Sequence, residues 1–326
     1  MTGSRPLSDR YDVAVLDLDG VVYIGAHAVE NAPGGLAAAR EAGMKLAFVT
    51  NNAARPPADV ARHLTRIGIP AEPADVVTSA QAAARLVAEQ VPAGAPVYVI
   101  GGPGLEAALR EHSLVPLTTV GPEHPEPVAV VQGYGPDMPW RQVITGALLV
   151  REGLPWVASN TDLTVPTPRG AGPGNGTLVR LVAEYADRSP VVAGKPQPPL
   201  FRETLARVGG KAPLVVGDRI DTDIEGAIAV GWDSLLVMTG VTTLADVAAL
   251  EPALRPTYVA ADLTALTREV EAGTWSAEVV DDRLRVHGTG DEHSWWAAVS
   301  LALWAHLDAT GRPARTTSVV PGSVAP

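Results

Sequence analysis

Short apolar runs that alternate with helical patterns are the feature that most restricts the fold of this chain. Residues 13–16 and 45–49 are apolar runs of strand length, and a segment with helical spacing follows each of them. The same alternation returns at 191–193, 213–216 and 234–237. Strands that alternate with helices form parallel sheets joined by right-handed crossovers. The pattern therefore predicts an α/β fold with a doubly wound parallel sheet.

A second strand-and-helix segment separates the two halves of this pattern. It has apolar runs of its own at 97–100, 128–132 and 156–159. We interpret residues 81–188 as an α/β domain inserted into a core domain. The core domain is then formed by residues 1–80 together with residues 189–270.

The last part of the chain, residues 271–326, predicts a small α+β appendage. The pattern indicates a hairpin over 275–287 that turns at 281–282, and an amphipathic helix over about 292–309. The apolar stripe of this helix consists of Trp296, Val299, Leu303 and Leu307. The segment faintly resembles the C-terminal piece of an N-acetyltransferase-like fold, but the glycine-spaced loop for acetyl-CoA is missing. We expect a structural appendage, docked on the core or on a second subunit.

Composition excludes several classes of function. The chain has 25 basic and 36 acidic residues and a formal net charge of −11, which disfavours binding to nucleic acid or to an anionic membrane. It has no cysteine, which excludes thiolate metal sites and cysteine nucleophiles and favours a reducing compartment. The sequence has neither a signal-peptide core nor an apolar run of about 18 residues. We expect a cytoplasmic protein.

Polar side chains stand where four of the predicted strands end. In the order of the strands they are Asp17 and Asp19, Thr50 and Asn51, Lys195, and Asp218 and Asp223. Because ligand sites of open parallel sheets lie at the carboxyl ends of the strands, these side chains are expected to converge on one crevice. Several carboxylates in a small volume require a cation. Oxygen ligands without histidine or cysteine suit Mg²⁺.

The groups of such a crevice suit the transfer of a phosphoryl group. Lys195 and the main-chain amides after Thr50 suit a phosphate dianion, and the metal and the lysine together would neutralise it. Asp17 is then a plausible nucleophile that forms an aspartyl-phosphate. Asp19 would protonate the leaving alcohol and later accept a proton from the hydrolytic water.

Four segments resemble the motifs of a known family. DLDGVVYIG, FVTNNAARP, VAGKPQPPLF and VVGDRIDTDIEGA, in this order, are similar to the four motifs of the haloacid dehalogenase (HAD) superfamily. The nearest branch is that of the 4-nitrophenylphosphatase-like enzymes, which includes pyridoxal phosphate, phosphoglycolate and glycerol 3-phosphate phosphatases. The resemblance covers about residues 10–265. It implies a large α/β cap at residues 80–188, which closes over the site, contributes to specificity and commonly takes part in dimerisation, so a homodimer is left open.

The resemblance also implies roles for individual residues. Asp17 is the nucleophile and Asp19 the general acid and base. Asp218 binds Mg²⁺ together with Asp17 and the main-chain carbonyl of Asp19, and Asp223 supports the hydrated metal.

Four further residues are implied to bind the phosphate of the substrate. Thr50, Asn51 and Asn52 contact it, and Lys195 stabilises it and orients the nucleophile. We therefore expect a Mg²⁺-dependent phosphomonoesterase of a small phosphorylated metabolite, with glycerol 3-phosphate favoured. The alternatives are 2-phosphoglycolate or pyridoxal phosphate as substrate, a phosphotransferase with the same intermediate, and a non-catalytic binding module.

Two glycine-rich segments resemble nucleotide-binding loops only in part. In residues 170–177 no lysine precedes Thr177, so a Walker-type site is rejected and the run is predicted to open a helix of the inserted domain. Residues 100–104 lack the full dinucleotide-binding spacing and are predicted to form a turn between a strand and a helix.

Overall fold

The computed structural model of this chain describes residues 5–167, 169–316 and 322. The chain divides into two compact units. The first contains Met1–Phe48, Thr65–Ile69 and Gly209–Pro326, and the second contains Val49–Leu64 and Pro70–Val208. None of the helices in the described residues is long and apolar enough to cross a membrane.

The elements are numbered in chain order. The strands are β1 (Val13–Leu16), β2 (Tyr23–Ile24), β3 (His27–Ala28), β4 (Lys45–Thr50), β5 (Val76–Thr78), β6 (Pro96–Ile100), β7 (Val115–Leu117), β8 (Ala129–Gln132), β9 (Trp156–Ala158), β10 (Thr164–Thr167), β11 (Gly170–Pro173), β12 (Val191–Val192), β13 (Pro213–Gly217), β14 (Asp233–Val237), β15 (Tyr258–Ala260), β16 (Ser276–Val280) and β17 (Arg283–His287). The α-helices are α1 (Leu7–Arg10), α2 (Ala32–Glu41), α3 (Pro57–Arg66), α4 (Ser79–Ala88), α5 (Pro103–Glu111), α6 (Trp140–Arg151), α7 (Asn175–Ala186), α8 (Pro198–Val208), α9 (Glu225–Val230), α10 (Leu244–Ala248) and α11 (Glu292–Thr310). Short 3₁₀ helices lie at Pro73–Asp75, Pro252–Leu254 and Leu263–Thr267, and a π-helical turn lies at Ile220–Ile224.

Within the first unit, strands of a parallel sheet pair in the order β15-β14-β13-β1-β4. Leu16 at the end of β1 pairs with Val216 of β13 on one side and with Phe48 of β4 on the other. The chain adds β4 on one side of β1 and later β13, β14 and β15 on the other, so the sheet is doubly wound and its order reverses at β1. Every residue of β1 is buried, as in a central strand covered on both faces. The predicted α/β class is confirmed.

Residues 275–314 contribute to the hydrophobic core of the first unit. The predicted hairpin is confirmed as β16 and β17, which pair antiparallel. Its turn residues Asp281 and Asp282 both have positive φ, 51° and 60°, the conformation that matches the right-handed twist of paired strands. Trp295 of α11 is fully buried (0% exposed) and belongs to one hydrophobic cluster with Leu236 of β14 and Val259 of β15.

Helix α11 has the predicted position, and its predicted apolar stripe is buried. Burial extends beyond that stripe to Ala297, Ala298 and Ser300, because the helix contacts β15 and α10 as well as the hairpin. The predicted picture of one apolar side and one solvent-exposed side is therefore too simple for the first half of this helix. The domain limits predicted from the sequence stay predictions, and positions 317–321 and 323–326 of the last segment lie outside the described residues.

The second unit contains its own parallel sheet, in the order β12-β9-β8-β6-β7. Strands β6, β8 and β9 match the three runs that predicted an inserted α/β segment. The assignment of residues 191–193 to the core sheet is wrong, since β12 pairs with β9, Val191 with Val157. A strand of two residues carries too little pattern to indicate which sheet it joins.

The two glycine-rich segments contain the predicted helix start and the predicted turn, but residues 170–173 of the first form strand β11, which pairs with β10 and was not predicted. Helix α7 begins at Asn175, with Gly174 as its N-cap. Strand β6 ends at Ile100 and α5 begins at Pro103, so that segment is a turn between a strand and a helix.

Candidate active site

The first part of the site is a tight loop that follows β1. The main-chain N–H of Asp17 donates to the carbonyl of Val216 (2.9 Å), so this residue continues the pairing of β1 with β13. The carbonyl of Leu18 accepts from the N–H of Tyr23 (3.1 Å), which closes the loop. Asp17 and Asp19 therefore lie just beyond a buried strand, at the edge where parallel sheets bind ligands.

Two buried aspartates follow β13. Oδ2 of Asp218 accepts from the main-chain N–H of Val241 (2.7 Å), and the main-chain carbonyl of Asp218 accepts from the hydroxyl of Thr242 (2.5 Å). Oδ2 of Asp223 accepts from the main-chain N–H of Arg219 (3.2 Å). These hydrogen bonds fix the orientation of two carboxylates that are 0% and 1% exposed.

Asp17, Asp218 and Asp223 form one acidic cluster. One carboxylate oxygen from each residue lies within 4.8 Å of the other two. Charges of the same sign at this distance repel one another, and a bound cation relieves the repulsion. Three carboxylate oxygens match the ligand preference of Mg²⁺, so the side chains fit such an ion. The carboxylate of Asp19 is not part of this group of three.

An ion pair that the sequence analysis did not select borders this cluster. The guanidinium of Arg219 donates through Nε to Oδ1 of Asp221 (3.0 Å) and through Nη2 to Oδ2 (2.7 Å). This pairing raises the pKa of Arg219, and the charges of Asp218 and Asp223 raise it further against the opposing effect of burial. Both residues lie within the GDRIDTD stretch, but the resemblance assigned no role to them.

The loop after β4 belongs to the second unit. Thr50, the last residue of β4, is buried, and its Oγ1 accepts from the main-chain N–H of Asn52 (3.1 Å). Oδ1 of Asn52 accepts in turn from the N–H of Ala54 (2.9 Å). Side chains that accept from the main chain two residues later are typical of tight polar turns. The side chain of Asn52 is thus partly engaged in holding its own loop.

Asn51 joins this loop to the loop that contains Lys195. Oδ1 of Asn51 accepts from the main-chain N–H of Lys195 (2.8 Å), and Nδ2 donates to the carbonyl of Lys195 (3.1 Å). Nδ2 also donates to Oδ1 of Asp162 (3.1 Å). Lys195 is buried, with 4% exposure. The side chain of Asn51 therefore contacts protein groups on both of its polar atoms.

Three polar residues around Asn51 were missed by the sequence analysis: Ser79, Asn160 and Asp162. The hydroxyl of Ser79 and Nδ2 of Asn160 both donate to the main-chain carbonyl of Asn51, at 2.5 and 2.7 Å. Asn175 donates to the carbonyl of Asn160 (2.7 Å). A signal was available, since Asn160 and Asp162 follow β9 just as Asn51 follows β4.

The structure thus groups the predicted site residues in two sets. Asp17, Asp218 and Asp223 meet within the first unit, where Asp19 lies in the same loop as Asp17. Thr50, Asn51, Asn52 and Lys195 belong to the second unit, in two loops that Asn51 links.

Comparisons with known proteins identify the family of this chain. A model of haloacid dehalogenase-like hydrolases matches residues 14–115, and a HAD-hydrolase-like model matches residues 192–266. The chain belongs to the haloacid dehalogenase-like hydrolase family, as the four motifs predicted.

Two curated relatives are phosphatases. The chain is 43% identical over 265 residues to a D-glycerol 3-phosphate phosphatase of Mycobacterium tuberculosis, a match that covers 81% of this chain and 73% of that protein. It is 36% identical over 264 residues to an acid sugar phosphatase of Staphylococcus aureus, which covers 80% of this chain and 99% of the relative.

Solved structures show the same fold. A glycerol phosphate phosphatase from Mycobacterium tuberculosis in complex with magnesium superimposes with a TM-score of 0.84 at 39% identity, over 95% of this chain and 94% of that one. A thermostable NPPase from Geobacillus stearothermophilus gives a TM-score of 0.70 at 32% identity, over 78% of this chain and 97% of that one.

Proposed function

We propose that the protein is a Mg²⁺-dependent phosphatase of small phosphorylated metabolites and that glycerol 3-phosphate is its substrate. The acidic cluster of Asp17, Asp218 and Asp223 carries this proposal, because three carboxylates that meet beyond the ends of two parallel strands suit a phosphatase metal site. The relative at 43% identity, named as a D-glycerol 3-phosphate phosphatase, supports the substrate. The acid sugar phosphatase at 36% identity makes a sugar phosphate the second candidate.

The residues of the first unit are proposed to perform the chemistry. Asp17 attacks phosphorus and forms an aspartyl-phosphate, and the leaving alcohol takes a proton from Asp19. Asp19 then removes a proton from the water that hydrolyses the intermediate. Asp17, Asp218, Asp223 and the main-chain carbonyl of Asp19 would hold the metal. A bound Mg²⁺ supplies positive charge that stabilises the phosphoryl oxygens in the transition state.

The residues of the second unit are proposed to receive the phosphate. The hydroxyl of Thr50 and the main-chain N–H of Asn51 donate to its oxygens, and the ammonium of Lys195 neutralises its charge. Most of the rate enhancement would come from this positioning and charge stabilisation. A cytoplasmic location stays a prediction from the composition.

Kinetics on a panel of phosphate esters tests the proposal. The panel contains glycerol 3-phosphate, hexose phosphates, 2-phosphoglycolate, pyridoxal phosphate and 4-nitrophenyl phosphate, each with Mg²⁺ and with EDTA. We expect the highest kcat/KM for glycerol 3-phosphate, loss of activity with EDTA, and inorganic phosphate as product. Higher kcat/KM for a hexose phosphate would favour the second candidate. Phosphate transferred to an added alcohol instead of water would indicate a phosphotransferase.

We further propose that the active protein is a homodimer, with α6 and α7 of each subunit in the interface. Large apolar side chains stand four residues apart on both helices and are 40–55% exposed. They are Trp140, Ile144 and Leu148 on α6, and Leu181 and Tyr185 on α7. Together they line one groove. An apolar patch of this kind is typical of a surface that a partner covers.

Charge on α7 supports a second copy of the chain as that partner. Arg180 and Glu184 lie one turn apart in the same groove. In two antiparallel α7 helices that cross near residue 182, a twofold axis brings Arg180 opposite Glu184 of the partner subunit. The face is therefore complementary to itself in both charge and hydrophobicity.

Light scattering coupled to size exclusion tests this interface. We expect Leu181→Arg to convert a dimer into a monomer, because it places a charge in the middle of the apolar face. Leu301→Arg is the matched control, since Leu301 on α11 is 60% exposed and lies outside the proposed face. A dimer that survives Leu181→Arg, or a monomeric unmodified protein, would contradict the proposal.

A further inference from the structure

The side-chain amide of Asn51 has no N–H group left for a substrate. A primary amide offers two N–H donors and one carbonyl oxygen. One donor is directed to the carbonyl of Lys195 and the other to Asp162, and the oxygen receives the N–H of Lys195. Phosphate oxygens need donors, so this side chain cannot serve them while these bonds are made.

The bonds between Asn51 and Lys195 form a two-point clamp on the main chain of Lys195. One polar atom of the amide meets the N–H of that residue and the other meets its carbonyl, at 2.8 and 3.1 Å. The close approach depends on Gly194, because a Cβ at this position would lie 2.6 Å from Oδ1 of Asn51 and 2.5 Å from the carbonyl of Ser159. Residues from two loops, 144 positions apart in sequence, are thus held in one geometry.

Asp162 reinforces the orientation of the Asn51 amide that the N–H and the carbonyl of Lys195 require. An ionised carboxylate only accepts hydrogen bonds, so it attracts Nδ2 and repels Oδ1. With Nδ2 directed to Asp162, Oδ1 is left to face the N–H of Lys195. Asp162 is itself held, because its main-chain N–H donates to Oδ1 of Asn160 (3.1 Å), and Asn175 holds the carbonyl of Asn160.

We propose that Asn51 and Asp162 are positioning residues that fix the main chain of Lys195 and so the place of its ammonium group. This inference rests on the proposed function, in which Lys195 neutralises the phosphate. It assigns a role to Asp162, which lies in none of the four motifs. It also replaces, for the side chain of Asn51, the phosphate contact that the resemblance implied.

An exchange of the two side chains tests the clamp. Asn51→Asp places two carboxylates against each other, displaces the Lys195 loop and is expected to lower kcat/KM for 4-nitrophenyl phosphate by about 100-fold. The double variant Asn51→Asp/Asp162→Asn restores a donor and an acceptor between positions 51 and 162 and keeps an acceptor for the N–H of Lys195, although the bond to the carbonyl of Lys195 stays lost. We expect the kcat/KM of the double variant to be at least about tenfold higher than that of Asn51→Asp.

A direct contact between Asn51 and phosphate would give the opposite result. A carboxylate at position 51 would repel the dianion whatever stands at position 162, and the double variant would be no better than Asn51→Asp. That result would overturn the inference. Asn52→Asp is the matched control, since it adds the same charge one residue away, where adding Asp162→Asn should give no recovery.

If Asn51→Asp does not fold, kcat and KM of the single variant Asp162→Asn test the inference. A positioning role predicts that kcat falls about tenfold while KM changes less than about twofold. A raised KM with unchanged kcat would assign simple substrate binding to Asp162 and overturn the inference. The unmodified protein is assayed in parallel, so that a lack of Mg²⁺-dependent turnover there contradicts the proposed function and not the clamp.

Discussion

The two sets of site residues differ in what holds them in place. In the first unit, Asp17 and Asp218 follow neighbouring strands, and main-chain N–H groups orient the buried carboxylates of Asp218 and Asp223. In the second unit, Lys195 is held by the side chain of Asn51, and Asn51 by the side chain of Asp162. The carboxylates thus depend on the sheet, whereas the lysine depends on a chain of side-chain contacts. Substitution of one side chain should therefore displace more of the site residues in the second unit than in the first.

The largest effect is expected from the nucleophile. Asp17→Asn keeps the shape of the side chain and removes its nucleophilic oxygen, so kcat should fall by about three orders of magnitude or more. The thermal midpoint should not fall, because removal of one of three clustered carboxylates relieves repulsion. Single-turnover kinetics and a melting curve check both expectations. A variant that kept more than about a tenth of the activity would remove Asp17 from this role.

The same contrast explains how much the sequence could predict. Asp17, Thr50 and Asp218 each follow an apolar run directly, and a run that ends on a polar residue is a local pattern. The doubly wound sheet and the acidic cluster were predictable for that reason. The α11 helix and the hairpin were predictable from their own periodicity and turn.

Long-range side-chain contacts were not predictable. The position of Asp162 after β9 is a local signal, but its contact with Asn51 spans 111 positions and no local pattern indicates that partner. The sheet partner of β12 was misjudged for the same reason, because two residues do not specify a neighbour. The ion pair of Arg219 and Asp221 was also not predicted, although both residues lie in a recognised motif. It forms because of the turn at Ile220–Ile224, and the sequence did not indicate that turn.

The second largest effect concerns stability in the first unit, away from its carboxylates. Trp295 is fully buried, and its ring meets that of Trp296 edge-on with centroids 5.0 Å apart. Trp295→Ala should lower the free energy of unfolding by about 3–5 kcal/mol. The kcat of the folded fraction should change by less than about fivefold, because main-chain N–H groups orient the buried carboxylates of Asp218 and Asp223. Urea unfolding measures the loss of stability, and kinetics normalised to the folded fraction measure kcat. A large fall in kcat would show that the core around Trp295 is coupled to the acidic cluster.

Two glycine variants sharpen the comparison between the units. A Cβ at Gly240 would overlap Oδ2 of Asp218, and a Cβ at Gly194 would crowd Oδ1 of Asn51. Each glycine-to-alanine change should lower kcat/KM by about 10- to 100-fold at low Mg²⁺. A higher concentration of Mg²⁺ should restore much of the activity of Gly240→Ala, because this variant loses metal affinity. It should restore little of the activity of Gly194→Ala, because that variant disturbs the Lys195 loop.

The control for both variants is Gly34→Ala in α2. Gly34 is exposed, and no atom lies within 4 Å of an added Cβ. Alanine in place of glycine inside a helix should stabilise the protein by about 0.5–1 kcal/mol and leave kinetics unchanged. If Mg²⁺ restored both site variants equally, the distinction between a sheet-held metal cluster and a side-chain clamp would be lost.

The smallest effect is a pH dependence of stability in the first unit. His293 at the start of α11 is buried, its Nδ1 accepts from the main-chain N–H of Ala261 (3.3 Å), and its Nε2 lies 2.8 Å from the hydroxyl of Thr264. Burial lowers the pKa of His293 below its ordinary value of about 6.5, although the charge of Asp262 acts in the opposite direction. The remaining charged groups around the ring are Asp291 and Glu292, which raise this pKa, and Arg268, which lowers it.

The sign of this effect follows from which state binds the proton. Below about pH 6.5 the unfolded chain protonates this histidine, whereas the folded protein keeps Nδ1 unprotonated for Ala261, so stability falls as the pH falls toward the lowered pKa of the folded state. One proton limits the slope to about 1.4 kcal/mol per pH unit, and no change is expected from this group above pH 6.5. Urea unfolding between pH 7.5 and 5.5 measures the slope, and His293→Gln, which cannot titrate, should remove this part of it. An unchanged slope in that variant would assign the acid sensitivity to other groups. Stability that rises as the pH falls would mean that His293 is protonated in the folded protein, in conflict with the hydrogen bond from Ala261.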